Sequence, residues 1–237
     1  VEAPSLSVSG KALTIEARPG AFPEFLVPAT AVPFLQTDSS LSLRGLSFRQ
    51  EELGAHVPIV ETSGGKIDIV NCRFVRPKVN AGPAIIASEQ SREFRFLNST
   101  IFAPGSIGIG LRRPQGTIEI ENSIVWTRRG LRTIFATSRE PTLVKLSRNI
   151  FQTGETTFEF LGLGDQGLAD SQSAGNTFIA ESDFLVLGDP NTDIDDFLSW
   201  HSQQDRWGVA GAWLRSENEN GIRLVGPLDW TLYFGGE

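Results

Sequence analysis

The feature that most restricts what this chain can fold into is a repeat. An apolar–polar–apolar stretch, a corner residue and a second apolar stretch recur in "IDIVNCRF" at Ile67 to Phe74, "FRFLNSTI" at Phe94 to Ile101 and "IEIENSIVW" at Ile118 to Trp126. With the opening apolar pair as marker, successive units begin at Leu13/Ile15, Leu41/Leu43, Ile67/Ile69, Phe94/Phe96, Ile118/Ile120 and Val144/Leu146. A weaker seventh, Ser171/Ser173, leads into "GNTF". The spacings are 28, 26, 27, 24, 26 and 27 residues. A period held this closely marks a solenoid.

Each unit also carries a second short patch: "PFLQT" at Pro33, "PIVET" at Pro58, "AIIAS" at Ala84, "IGIGL" at Ile107, "TIFAT" at Thr133 and "TFEFL" at Thr157. Gly, Pro, Ser and Asp cluster between patches, and helical periodicity is absent before about residue 193. Short strands and no helices at this period predict an all-β chain, a parallel β-helix of about seven coils stacked ~4.8 Å apart. Ile67, Ile69, Phe94, Phe96, Ile118 and Ile120 are expected to point inward. Asparagine tolerates the left-handed backbone region, so Asn71, Asn98 and Asn122 read as stacked corners, with Gly45 and Gly175 in the same place. Asn149 and Asn176 are displaced by one residue.

The tail differs. In "NTDIDDFLSWHSQQDRWG" a Thr192 or Asp193 cap precedes Ile194, Phe197, Leu198 and His201 at helical spacing. The expectation is a capping helix near residues 193–206 and a division into a β-helix over 1–188 and a capping segment over 189–237. Trp200, Trp207, Trp213 and Trp230 read as core and cap residues rather than a sugar-stacking platform.

Over roughly residues 11–188 these motifs resemble the right-handed parallel β-helix of the pectate lyase-like superfamily. The entry "LTIEARPG…PFLQTDSSLSLRGLSF" is also similar to β-helix regions appended to some bacterial serine/threonine protein kinases. The resemblance implies a right-handed solenoid. It carries over no catalytic residue, since the chain holds no kinase glycine loop, catalytic loop or metal-binding triplet.

Charge is segregated along the chain. Residues 1–72 carry 5 basic and 8 acidic side chains, residues 73–148 carry 13 and 5, and residues 149–237 carry 3 and 15. A basic middle between acidic ends suits a polyanion site or two parts of one protein that attract each other. One cysteine, Cys72, leaves no internal disulfide and no multi-cysteine metal site, and it reads as a small inward-stacking residue. Methionine is absent and no apolar run reaches a membrane span. The expectation is a fragment of a longer, extracytoplasmic bacterial chain whose partners include that chain's other domains, with no nucleic acid, cofactor or membrane span.

A search for catalytic groups finds little. "NTDIDD" at Asn191 to Asp196 begins like a polygalacturonase motif, but no Gly-His-Gly or Arg-x-Lys follows. Asp68, Arg95, Glu119 and Lys145 share the outward position between marker residues and alternate in sign, which predicts a charge ladder. Glu119 and Glu121 share one coil and form the best candidate pair of catalytic carboxylates. His56 and His201 have no partner at a telling spacing. No catalytic residue and no metal site is assigned.

The basic middle remains. One loop edge collects Lys66, Arg92, Arg112, Arg113 and Arg139, and another collects Arg76, Lys78, Arg128, Arg129 and Arg132. Stacking would turn them into columns of positive charge suited to an acidic polysaccharide. The reading is a non-catalytic binding or sensor module. The alternatives are a polysaccharide lyase or glycoside hydrolase, and a structural spacer.

Overall fold

Alternation at a period of two sends every second side chain of each short strand inward, and the 24–28-residue repeat brings the same position back one rung higher. The computed structural model describes residues 5–29, 31–51, 57–77, 82–135, 141–162, 168–188, 194, 197–216 and 223–234. In it the marker pairs form one sheet of eight parallel strands in chain order, from Leu13–Glu16 to Leu198–Gln203. Seven coil-to-coil steps separate them, so the chain is a parallel β-solenoid of about seven coils.

The marker register is the one the repeat predicts. Leu13, Leu41, Ile67, Phe94, Ile118, Val144 and Ser171 follow one another rung by rung. Ile67, Ile69, Phe94, Phe96, Ile118 and Ile120 are fully buried. Two further faces complete the coil. One follows the corner, for example Ser47–Arg49 and Arg73–Val75. The other is built from the second patches, for example Leu35–Thr37 and Val60–Ser63. In the middle coils a single long strand, such as Thr100–Arg112, serves both, with a register shift where it bends between Ala103 and Ile107.

Stacking identical residues one rung apart explains the phenylalanine excess. Phe25, Phe48 and Phe74 stack at 5.4 and 5.0 Å between ring centroids, and Phe151 stacks on Phe178 at 5.6 Å. Such contacts add to the burial of each ring.

The corners are where the asparagines put them. Asn71, Asn98 and Asn122 have φ of 55°, 49° and 47°, and Gly45 and Gly175 take the same position at 68° and 64°. The Asn122 amide donates to Asn98 Oδ1 at 2.8 Å. One residue later a buried ladder runs from the third coil to the last. The backbone N–H groups of Cys72, Ser99, Ser123, Asn149 and Asn176 donate in turn to side chains of Ser99, Ser123, Asn149, Asn176 and Asp205. The displaced Asn149 and Asn176 belong to this ladder. Cys72 occupies its first step, buried, with its thiol pKa pushed up by desolvation.

The tail corrects the expected helix over 193–206. Leu198–Gln203 is instead an eighth rung, pairing in parallel with Ala169–Ala174 and placing Trp200 over Ser171. Leu198 and Trp200 point inward and His201 outward. Residues at i and i+2 were apolar as well as those at i+3 and i+4, and the open strand edge decided between the two periods. The cap read at Thr192 or Asp193 lies outside the described residues. The one described helix is Pro227–Phe234, which opens with proline at its first turn and has Asp229 accepting the Val225 N–H at 3.0 Å. Its Trp230 is buried against Phe184 and Trp200. Trp213 is also buried, and Trp207 packs against the same cluster. A second correction concerns "TIFAT". The strand in register with Ile107–Leu111 is Arg129–Thr133, so Leu131 and not Phe135 lies beside Ile109. No described helix is long and apolar enough to cross a membrane.

Candidate functional site

Solvent-facing positions form rows across the coils, and their charges decide which rows are available to a ligand. On the marker face the ladder forms over three rungs. Arg95 reaches Glu119 at 3.0 Å and Asp68 at 3.3 Å, and Arg44 joins Asp68 from the other side at 2.7 Å. The hydrogen bond that Arg95 donates to Glu119, with the charges of Asp68, Glu119 and Glu93, raises the Arg95 guanidinium above its ordinary pKa. Lys145 has no ion-pair partner among the described residues and lines a hollow of ≈ 450 Å³ with Gln172 and His201. Glu121 pairs with Arg148. Both members of the carboxylate pair singled out in the sequence are therefore held by arginines.

The second basic edge is neutralised or buried. Arg76 is buried and donates to Gln50 Oε1 at 2.7 Å and to the Val57 carbonyl at 2.9 Å, with Ser106 Oγ at 3.4 Å. Desolvation lowers its pKa to about 10. Arg129 binds Glu155 at 2.8 Å and Glu159 at 3.2 Å, Arg128 lies 3.5 Å from Glu155, and Arg132 lies 3.3 Å from Glu159. Burial alone would depress Arg129, but hydrogen bonding to Glu155 and the charges of Glu159 and Glu155 raise it. Lys78 lies outside the described residues.

The first edge is different. Arg112 ends the strand Thr100–Arg112, and Arg113 forms the next corner at φ 52°. Gln90 makes the equivalent corner one coil earlier, followed by Arg92. Arg92, Arg112 and Arg113 are exposed, and none has a carboxylate partner among the described residues. Gly116 keeps the coils tight here, since a Cβ on it would stand 2.2 Å from the Arg92 carbonyl oxygen. Lys66 lies farther along the marker strand, in register with Glu93, and is paired to it at 2.6 Å. That hydrogen bond holds the Glu93 carboxyl below the usual range. Arg139 lies outside the described residues.

Beside this edge the second-patch face carries a trough of ≈ 530 Å³ that sequence reasoning did not single out. Its floor includes Ala84, Ala87, Ile107 and Gly110, and a Cβ on Gly110 would meet that of Ala84 at 2.9 Å. Ser7 and Gln36 line the first coils, Glu61 and Glu89 lie midway, and Arg112 and Arg132 stand toward the far end. Asp38, at the rim, is turned to the Ser9 hydroxyl and the Gly10 N–H, and these hydrogen bonds lower its pKa. The signal was present in the repeat, because small residues at the same outward position of adjacent coils leave a hollow. It becomes visible only once the patches are aligned.

Among the described residues no three His, Cys, Asp or Glu side chains come together to hold a metal ion. Compared with family models, curated proteins and solved structures, the chain matches none.

Proposed function

We propose that this chain is a non-catalytic ligand-binding module whose ligand is an acidic polysaccharide held along the edge of Arg92, Arg112 and Arg113. The observation that carries the reading is the contrast in pairing: these three guanidinium groups are exposed, unpaired among the described residues and beside a trough, while Arg128, Arg129 and Arg132 are met by Glu155 and Glu159. Guanidinium forks bind carboxylate and sulfate in bidentate fashion, so a line of free ones favours a polymer that repeats those groups. The finer reading, a pectate lyase-like coil serving as the extracytoplasmic sensor part of a bacterial serine/threonine kinase-like receptor, rests on the sequence resemblance.

The test is retention on heparin and polygalacturonate resins across a salt gradient. The native chain is expected to bind at low ionic strength and elute as salt rises, and an Arg92→Ala/Arg112→Ala/Arg113→Ala variant to flow through. Equal retention of both, or of neither, overturns the reading.

One observation favours an enzyme as the second reading: Glu61 and Glu89 face a common hollow, as the two carboxyl groups of a glycosidase must. Release of reducing ends or unsaturated product from polygalacturonate, lost in Glu61→Gln and Glu89→Gln, would replace the binding module by a carbohydrate-active enzyme.

A further inference from the structure

The trough changes sign along its length, from Glu61 and Glu89 near its middle to Arg112 and Arg132 at one end. Along the outward row that crosses it, successive coils place Glu61, Ala87, Gly110 and Arg132 in register. The row beside it runs through Ser63, Glu89, Arg112 and Ile134. Alanine and glycine open the hollow between the long charged side chains. Glu61 and Arg132 stand three rungs apart, ~14 Å along the axis. Glu61 and Glu89 are diagonal neighbours, a spacing of ~7–8 Å that long side chains can bridge.

The pairing of these groups is what makes the trough a candidate site. Glu61 and Glu89 are half-buried, and neither has a cationic partner among the described residues. Arg112 has no carboxylate partner, although Glu89 is its direct neighbour in register. Arg132 lies 3.3 Å from Glu159, but its Nε is not aligned for a hydrogen bond. Elsewhere on the solenoid, opposite charges on neighbouring rungs do meet: Arg95 with Asp68 and Glu119, Lys66 with Glu93, Arg129 with Glu155. Here Glu61 and Arg132 stand apart across an open space, and Glu89 and Arg112, though one rung apart, make no ion pair.

We propose that the trough binds a short saccharide strand carrying both an ammonium and a carboxylate, laid along the solenoid axis. The ammonium sits between Glu61 and Glu89, and the carboxylate is taken by Arg112, with Arg132 closing that end. This deepens the saccharide reading of this side of the molecule and rests on it. A purely acidic chain would place negative groups against Glu61 and Glu89, so it stays on the lip of Arg92, Arg112 and Arg113. A purely cationic chain would meet Arg112 and Arg132. A strand of both signs satisfies each end, and its hydroxyl groups find Ser63 and Gln36 along the wall.

The test compares two ligands differing at one nitrogen: a disaccharide of glucosamine linked to glucuronic acid, and the same disaccharide N-acetylated. Binding is measured by titration calorimetry at neutral pH and low salt. The free amine is expected to bind roughly tenfold tighter, the scale of two part-buried charge contacts. In a Glu61→Gln/Glu89→Gln variant the two forms are expected to bind alike, and in Arg112→Gln both are expected to weaken. Ala87→Trp, which fills the hollow from an outward position, should abolish binding of both forms while leaving retention on heparin through Arg92, Arg112 and Arg113. Equal affinity of the two forms for the native chain overturns the proposal, as does binding of neither, or an amine preference that survives in the double Gln variant. The resin experiment reads the arginine edge separately. A chain retained on polygalacturonate that does not distinguish amine from acetamide keeps the edge and loses the bipolar trough.

Discussion

Two basic edges run along the same stack of coils, and they have opposite fates. Arg128, Arg129 and Arg132 find Glu155 and Glu159 on the next coil, and Glu159 is almost fully buried beneath them. Arg92, Arg112 and Arg113 make no ion pair among the described residues, although Glu89 stands in register with Arg112, and all three remain exposed. Sequence alone shows two clusters of like charge. Structure shows one used to hold coils together and one left free. Positive charge on a solenoid therefore reports on function only after its neighbours one repeat away have been examined.

The largest expected effect separates the edges by stability. An Arg129→Ala/Arg132→Ala variant leaves Glu159 buried without its cations, and unfolding in urea should show a loss of about 2 kcal/mol, discounted from a fully buried pair because the arginines are about a third exposed. The Arg92→Ala/Arg112→Ala/Arg113→Ala variant should stay within ~0.5 kcal/mol of the native chain, as surface substitutions do. The comparison breaks if the second variant proves the less stable.

A smaller effect sharpens the same contrast. Glu155 is 41% exposed and shared by Arg128 and Arg129. Glu155→Gln should cost less than ~1 kcal/mol, the usual range for an exposed pair. It should also free part of the second edge and move elution from heparin to higher salt. Unchanged elution would mean that Glu155 does not mask the edge.

Much of this was legible in the sequence, and the physical reasons for success and failure differ by residue. The coil register could be read because a left-handed corner admits few residue types, and Asn71, Asn98 and Asn122 advertise it. Arg148 and Gln204 make the same corner at φ 54° and 56° with nothing in their chemistry to announce it. The ladder one step on accepts any short hydrogen-bonding side chain, so Ser99, Ser123, Asn149, Asn176 and Asp205 do not look like a set until they are stacked. The eighth rung was hidden because Leu198 and Trp200 satisfy a strand while Ile194, Phe197, Leu198 and His201 satisfy a helix. The pairing of Arg129 with Glu155 and Arg132 with Glu159 could have been read directly, since their separations are one repeat. The trough is not announced by any charged column, because a hollow is written in small residues such as Ala87 and Gly110.

The smallest effect tests whether Lys66 belongs with the free edge, where its place in the sequence put it, or with the paired side chains. Glu93 accepts the Lys66 ammonium at 2.6 Å, and this hydrogen bond, followed by the charges of Lys66 and Arg95, holds its carboxyl below the ordinary range. A depressed carboxylate pKa stabilises the fold above the ordinary glutamate range, and that contribution is lost as pH falls through the lowered value. Lys66→Gln should therefore raise the Glu93 midpoint toward the ordinary value without fully restoring it, because Arg95 remains. The variant should cost a few tenths of a kcal/mol at neutral pH, about what an exposed pair contributes, and nothing once Glu93 is protonated in both proteins. Carboxyl chemical shifts followed through an acid titration read the midpoint directly, and heparin elution reads the edge. A Glu93 midpoint unmoved in Lys66→Gln, together with weaker retention, would return Lys66 to the free edge and extend the binding line by one coil. A moved midpoint with unchanged retention confines that line to Arg92, Arg112 and Arg113.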